Sequence, residues 1–226
     1  MLPPEAERLW RDYVEAERIR IRPEYLSSLN HFIEALLPLP TAVWHPWARQ
    51  LAQRIVEEDG EPPVRMPLFY SVIFPALRAG IESSSPGSAR WLAGLAQHLY
   101  KSPQCAEQLP ENLRHESGLL KQAIKDDPND LRAKTQLLDL MRDRFEYVLH
   151  ELPAGVLYGQ NGATREQCID LLVELADYIE LAREIGETEE DRELISSARF
   201  HITAYRQYLS ELGRHQNYEA FLATCE

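Results

Sequence analysis

Apolar residues recur along this chain at steps of three and four, and no run alternates apolar with polar long enough to make a strand. The pattern predicts helices over 4–20, 23–37, 45–59, 65–80, 88–101, 115–126, 129–152, 164–185 and 188–212, with a short one at 215–224. The expected fold class is all-α: a multi-helix bundle or repeat-like array of helical hairpins, about nine or ten helices, with no sheet. In the last long helix Leu194, Ala198, His201, Tyr205, Tyr208 and Leu212 form a seam at alternating steps of four and three, suited to shallow packing on a neighbour. Leu131, Leu138, Met141, Phe145, Val148, Leu149 and Leu152 give the helix over 129–152 its own apolar face. Met66 to Ile81 is apolar for about sixteen residues, but a span needs roughly twenty. Pro67, Pro75 and Arg78 interrupt it, which predicts a buried, kinked helix.

The helix over 164–185 has an unusual outer face. At about 100° per residue, Asp177, Asp170, Glu174 and Glu184 fall within about 80° of Glu166, and Glu180 lies about 40° to the other side. Ile169, Leu172, Leu175, Ala176, Ile179 and Ala182 fill an arc from about 160° to 300°, the predicted core face. Thr164 and Gln167 have capping-box spacing, and Gly186 is placed to stop the helix. Carboxylates four apart repel by about 0.2–0.5 kcal/mol per pair, where interleaved lysines would attract.

Charge sharpens this picture. Glu166 to Glu193 holds eleven acidic residues against Arg183 and Arg192, nine of the chain's twelve net negative charges. Residues 135–226 carry eighteen acids, eight arginines and no lysine, a net of −10, whereas residues 1–134 net −2. Such a surface steers a basic partner in and pairs with its cations, although a merely soluble face would read the same way. Net −12 also disfavours direct binding to a nucleic-acid backbone.

The 226 residues suffice for a substantial core, in one domain or two. Thirteen of the fifteen prolines lie at or before Pro110 and the acid excess lies after it, which suggests a Pro-rich short-helix subdomain over 1–110 and an acidic long-helix subdomain over 111–226, sharing one core. Cys105, Cys168 and Cys225 are odd in number and form no Cys-x-x-Cys, and the charged opening MLPPEAERLWRDY has no export signal. A reducing cytoplasm is expected. Twenty arginines against four lysines match a GC-rich, bacterial coding bias.

Residues 119–138, LLKQAIKDDPNDLRAKTQLL, resemble the junction between two tetratricopeptide repeats. Ala123, Asp127 and Pro128 match the end of one repeat helix, Asn129 to Leu131 open the next, and Leu137 and Leu138 sit where it packs inward. The resemblance covers one junction, and the repeat period does not continue on either side. It implies a helix-hairpin scaffold of the kind used to bind proteins.

Candidate chemistry is sparse. Arg144 and His150 are similar to the Arg-x(4–6)-His motif of HEPN-type ribonucleases, which would imply a small all-helical nuclease using this pair. Composition alone gives about two such matches by chance, and six residues separate the side chains by about 240° around a helix. Glu146, His150 and Glu151 are a weak metal set with no second ligand pair. The loop over 153–163 has Gly155, Gly159 and Gly162 before a helix and Arg165 beyond it, but lacks the Lys-Ser/Thr of a phosphate loop. Its Val156, Leu157 and Tyr158 suit a contact loop. Trp44, His45, Pro46 and Trp47 mark a helix start with Pro46 in the first turn, a staple into the core or a binding anchor. His201 on the apolar seam reads as an interior histidine.

The resulting expectation is a non-catalytic, cytoplasmic protein that binds a basic protein. An immunity or antitoxin-type inhibitor is its natural form. Its contact set is Glu166, Asp170, Glu174, Asp177, Glu180, Glu184, Glu187, Glu190, Asp191 and Tyr158, with no cofactor, no metal, no direct nucleic-acid partner and no membrane. The alternatives are the HEPN-like ribonuclease and a structural or adaptor subunit.

Overall fold

The computed structural model describes residues 2–58, 62–152, 156–157, 160–161 and 164–225. In chain order they form α1 (Pro4–Ile19), α2 (Arg22–Leu36), α3 (Thr41–Glu57), α4 (Met66–Leu68), a π-helical turn (Phe69–Ile73), α5 (Phe74–Glu82), α6 (Ser88–Gly94), α7 (Ala96–Tyr100), α8 (Pro103–Ala106), a 3₁₀ turn (Glu111–Leu113), α9 (Glu116–Asp126) and α10 (Leu131–Glu151), then α11 (Arg165–Ile185), α12 (Glu189–Ser210) and α13 (Tyr218–Leu222). Among the described residues, extended pairing is confined to Val156–Leu157 against Gln160–Asn161 and one bridge between Leu212 and His215. The chain is all-α, with nine helices of seven or more residues among those described. No described helix is long and apolar enough to cross a membrane.

The chain divides into two compact units, Met1–Ala133 and Lys134–Glu226. The division falls in the first turn of α10, further along than the composition shift at Pro110. The placing of α9 accounts for this. It buries Leu119, Leu120 and Ala123 and packs on α6 within the first unit. Gly118 lets the preceding 3₁₀ turn close against α9, because a Cβ there would stand 1.7 Å from the Asn112 backbone oxygen.

In the first unit α1 and α2 form a hairpin, and Trp10 meets Phe32 and Trp47 at ring separations of 5.2 and 5.1 Å. The aromatic run of α3 therefore serves the core, and Trp44 is buried too. Its helix starts earlier than proline placement suggests. Thr41 opens it, so Pro46 lies inside, where its ring nitrogen gives no hydrogen bond to the preceding turn. Pro75 acts differently: the ladder before it widens to a π turn, with the Phe74 N–H donating to the Phe69 carbonyl. The kinked helix expected over Met66–Ile81 is thus α4, the π turn and α5 in succession. At the repeat-like junction Asp127 Oδ1 accepts from the Asn129 N–H and Asp130 Oδ1 from the Ala133 N–H. Asp130 so caps α10, while Leu131 is exposed rather than part of an apolar face.

In the second unit α11 and α12 form a hairpin, and α10 packs on α11 through Phe145 and Tyr178, whose rings stand 5.8 Å apart. The seam of α12 is rotated from its sequence reading: Asp191, Ile195, Ala198, Ile202 and Tyr205 are buried, and Leu212 lies beyond the helix, exposed. Tyr218 and Phe221 of α13 close this end against Tyr205 and Tyr208.

Candidate functional site

The acidic helix begins and ends where its sequence says it should. The Thr164 side chain accepts from the Gln167 N–H at 3.2 Å, while the Gln167 side chain accepts from the Thr164 N–H at 2.8 Å. Gly186 ends it at φ 124°, a left-handed conformation that favours glycine. Its buried face is Cys168, Leu171, Leu175, Tyr178, Ile179 and Ala182. This arc is turned by about 60° from the predicted one, so Ile169 and Ala176 are exposed, and Leu171 and Tyr178 are inside. Tyr178 supplies the reason. Its ring packs on Phe145 and its hydroxyl donates to Asp191, a pairing that hydrophobic periodicity does not register.

The eleven carboxylates separate into three kinds. Asp191 is 1% exposed and removed from any binding surface. It accepts from Tyr178, from Arg142 at 2.9 Å, and from the Thr188 N–H and hydroxyl at 2.9 and 2.7 Å. Burial alone would raise its carboxyl, but the bonds from Tyr178, Thr188 and Arg142 outweigh burial and hold it well below the usual range. The same site pushes the Tyr178 hydroxyl up to about 12, through burial first and then through Asp191. Asp191 is the capping-box partner of Thr188 and a buried ion-pair partner of Arg142, and this corrects its assignment as a contact residue.

A second group is engaged at the surface. Glu174 pairs with Arg144 at 3.2 Å, Glu184 with Lys134, and Glu187 and Glu189 with Arg192 at 3.4 and 2.6 Å. Asp177 is exposed and also has an interaction within the chain. The third group, Glu166, Asp170, Glu180, Glu190 and Glu193, is exposed and makes no ion pair among the described residues. Tyr158 lies outside the described residues.

On α11 the positions 166, 170, 173, 177, 180 and 184 run at alternating steps of four and three along one face. Val173, 60% exposed, interrupts the carboxylates there, and Ile169, 47% exposed, flanks them. The outer face is therefore mixed, anionic with an apolar centre. Its apolar part was legible only as surplus: Val173 falls among the acids on the helical projection, where no core position is expected.

The catalytic alternatives gain no geometry. Arg144 is bound to Glu174, while His150 stands 82% exposed beside Glu151 at 3.8 Å. Six residues of helix place the two about 9 Å apart along the axis. Among the described residues no group of three or more His, Cys, Asp or Glu could hold a metal. The His201 ring stands 3.3 Å from the Tyr218 hydroxyl, which also lies 3.0 Å from the His201 carbonyl, so the residue is satisfied where it sits. A groove of about 650 Å³ runs along α12 beside Ile195, Arg199, Phe200 and Cys225. Compared with known proteins, the chain matches no family model, no curated protein and no solved structure.

Proposed function

We propose that this protein is a non-catalytic binder that neutralises or recruits a basic partner protein through the outer face of α11 and the first turn of α12. The observation that carries the reading is the exposed set Glu166, Asp170, Glu180, Glu190 and Glu193, which makes no ion pair among the described residues. Exposed Ile169 and Val173 give that face a patch to desolvate, and charge alone would supply orientation more than affinity. An immunity or antitoxin-type inhibitor of a basic toxin is the form this takes most naturally, and a helix-hairpin adaptor presenting the same face is the neighbouring form. The contact set is narrower than the sequence suggests: Asp191 is excluded, and Glu174, Glu184 and Glu187 are already engaged.

The test is a quantitative pull-down from the source cell with the wild-type chain and with Glu166→Lys/Asp170→Lys/Glu180→Lys. The reading expects a basic protein retained by the wild type, released by raised salt and lost by the triple variant, whose circular dichroism stays unchanged. Equal retention of every partner by both chains would overturn it.

A further inference from the structure

The tip joining α1 to α2 reads Arg18-Ile19-Arg20-Ile21-Arg22, and all five residues are exposed, the two isoleucines 54% and 46%. Arg20 turns the chain there at φ 61°, its N–H donating to the Ala16 and Glu17 carbonyls at 3.2 Å. Beside the tip is a cleft of about 580 Å³ whose lining includes Glu17, Arg18, Arg20, Tyr25, Pro63 and Arg65.

Arg65 is fixed at this cleft. Its Nε and Nη2 donate to the two oxygens of Glu17 at 2.7 and 2.8 Å, and its guanidinium lies 4.5 Å from the Tyr25 ring centre. Glu17, only 7% exposed, also accepts from Tyr13 at 3.1 Å. That carboxylate is spent on its own neighbours, and neither of its bonds from Arg65 uses the Nη1 edge. Arg18 meets Glu15 at 3.4 Å with both side chains more than half exposed, a pairing of little strength. Arg20 makes no ion pair among the described residues. Among the described residues the lining thus sets three guanidiniums against one carboxylate, in a chain of net charge −12.

We propose that this cleft binds a phosphate group carried on an organic ligand. A preorganised guanidinium with two exposed ones beside it suits an anion with several oxygens, which can accept forked bonds from different sides. The volume is that of a small-molecule site, larger than a bare ion requires. The phosphate can come from a soluble ester or from a lipid headgroup, and exposed Ile19 and Ile21 tell the two apart. A lipid would let them enter the acyl boundary, whereas a soluble ester leaves them in water.

The full chain is titrated calorimetrically with pyrophosphate and, in flotation, mixed with phosphatidylcholine vesicles with and without phosphatidic acid. Saturable binding of pyrophosphate or of the phosphatidic acid vesicles is expected, weakened about tenfold or more by Arg18→Gln/Arg20→Gln, which touches only exposed side chains. For a lipid source only the vesicles bind, and Ile19→Ser/Ile21→Ser releases them. For a soluble source pyrophosphate binds, and that serine pair changes nothing. No saturable binding to either probe, or an affinity unmoved by the double arginine substitution, overturns the proposal.

Discussion

Asp191 shows how one carboxylate can look like surface in sequence and act as interior in the fold. It stands three residues after Thr188, so it serves as the cap's return partner, and Arg142 and Tyr178 complete its shell. Removing one member of a buried pair costs about 3–5 kcal/mol, far more than an exposed ion pair supplies. Asp191→Asn should therefore lower the urea stability of residues 134–226 by several kcal/mol, and a loss near zero would contradict the burial. The pH dependence has a definite sign. The folded carboxyl sits below its usual 3.8, so its contribution is present above that value and fades as pH falls through it towards the folded one. Urea midpoints between pH 7 and 3 should fall more steeply for the wild type than for Asp191→Asn. The cysteines give a second check at this scale. Burial raises the Cys168 thiol to about 11, Cys105 is also buried, and Cys225 is exposed. Native alkylation followed by mass spectrometry should label Cys225 alone; early labelling of Cys168 would mean its site opens.

At the scale of the helix, α11 carries opposing demands. Glu166 with Asp170, and Glu180 with Glu184, are carboxylates four residues apart, and each such pair opposes the helix by about 0.2–0.5 kcal/mol. Asp170→Lys turns its repulsions into attractions to Glu166 and Glu174, so it should stabilise the second unit by about 0.5–1 kcal/mol in urea. The same substitution should weaken partner capture, and that opposition of sign is what a surface kept for binding predicts. Destabilisation by Asp170→Lys would show that Asp170 has a structural role. Helix limits here were readable because they are set locally: the Thr164–Gln167 box and Gly186 act within one turn. The rotation of α11 was not, because Tyr178 turns inward for a hydrogen bond to a residue on the next helix. The same bond sets the rotation of α12, whose seam is Ile195 and Ile202 rather than Leu194, while Leu212 drops out because the helix ends at Ser210. The Arg–Ile alternation at 18–22 stands openly in the sequence, but only the left-handed turn at Arg20 and the docking of Arg65 make a cleft beside it.

Across the whole molecule the charge is lopsided: residues 135–226 carry a net of −10 and residues 1–134 a net of −2. Self-repulsion on that scale opposes compaction, and it acts through solvent between exposed groups, where salt screens it. Salt also weakens ion pairs, so the direction depends on where the pairs lie. Arg142 reaches Asp191 at a carboxylate 1% exposed, and Arg90 meets Glu57 and Asp130 with side chains 10–11% exposed. Pairs so placed are screened far less than the open carboxylates of α11 and α12. Repulsion is the term that salt removes, and it resides in the second unit. Raising sodium chloride from about 0.02 to 0.5 M shortens the screening length from above 20 Å to below 5 Å. Amide exchange in the buried turns of α11 should then slow about tenfold, while that of α2 changes little. Equal slowing in both helices would point to a general salting effect, and faster exchange in α11 would show that its ion pairs outweigh the repulsion among its exposed acids.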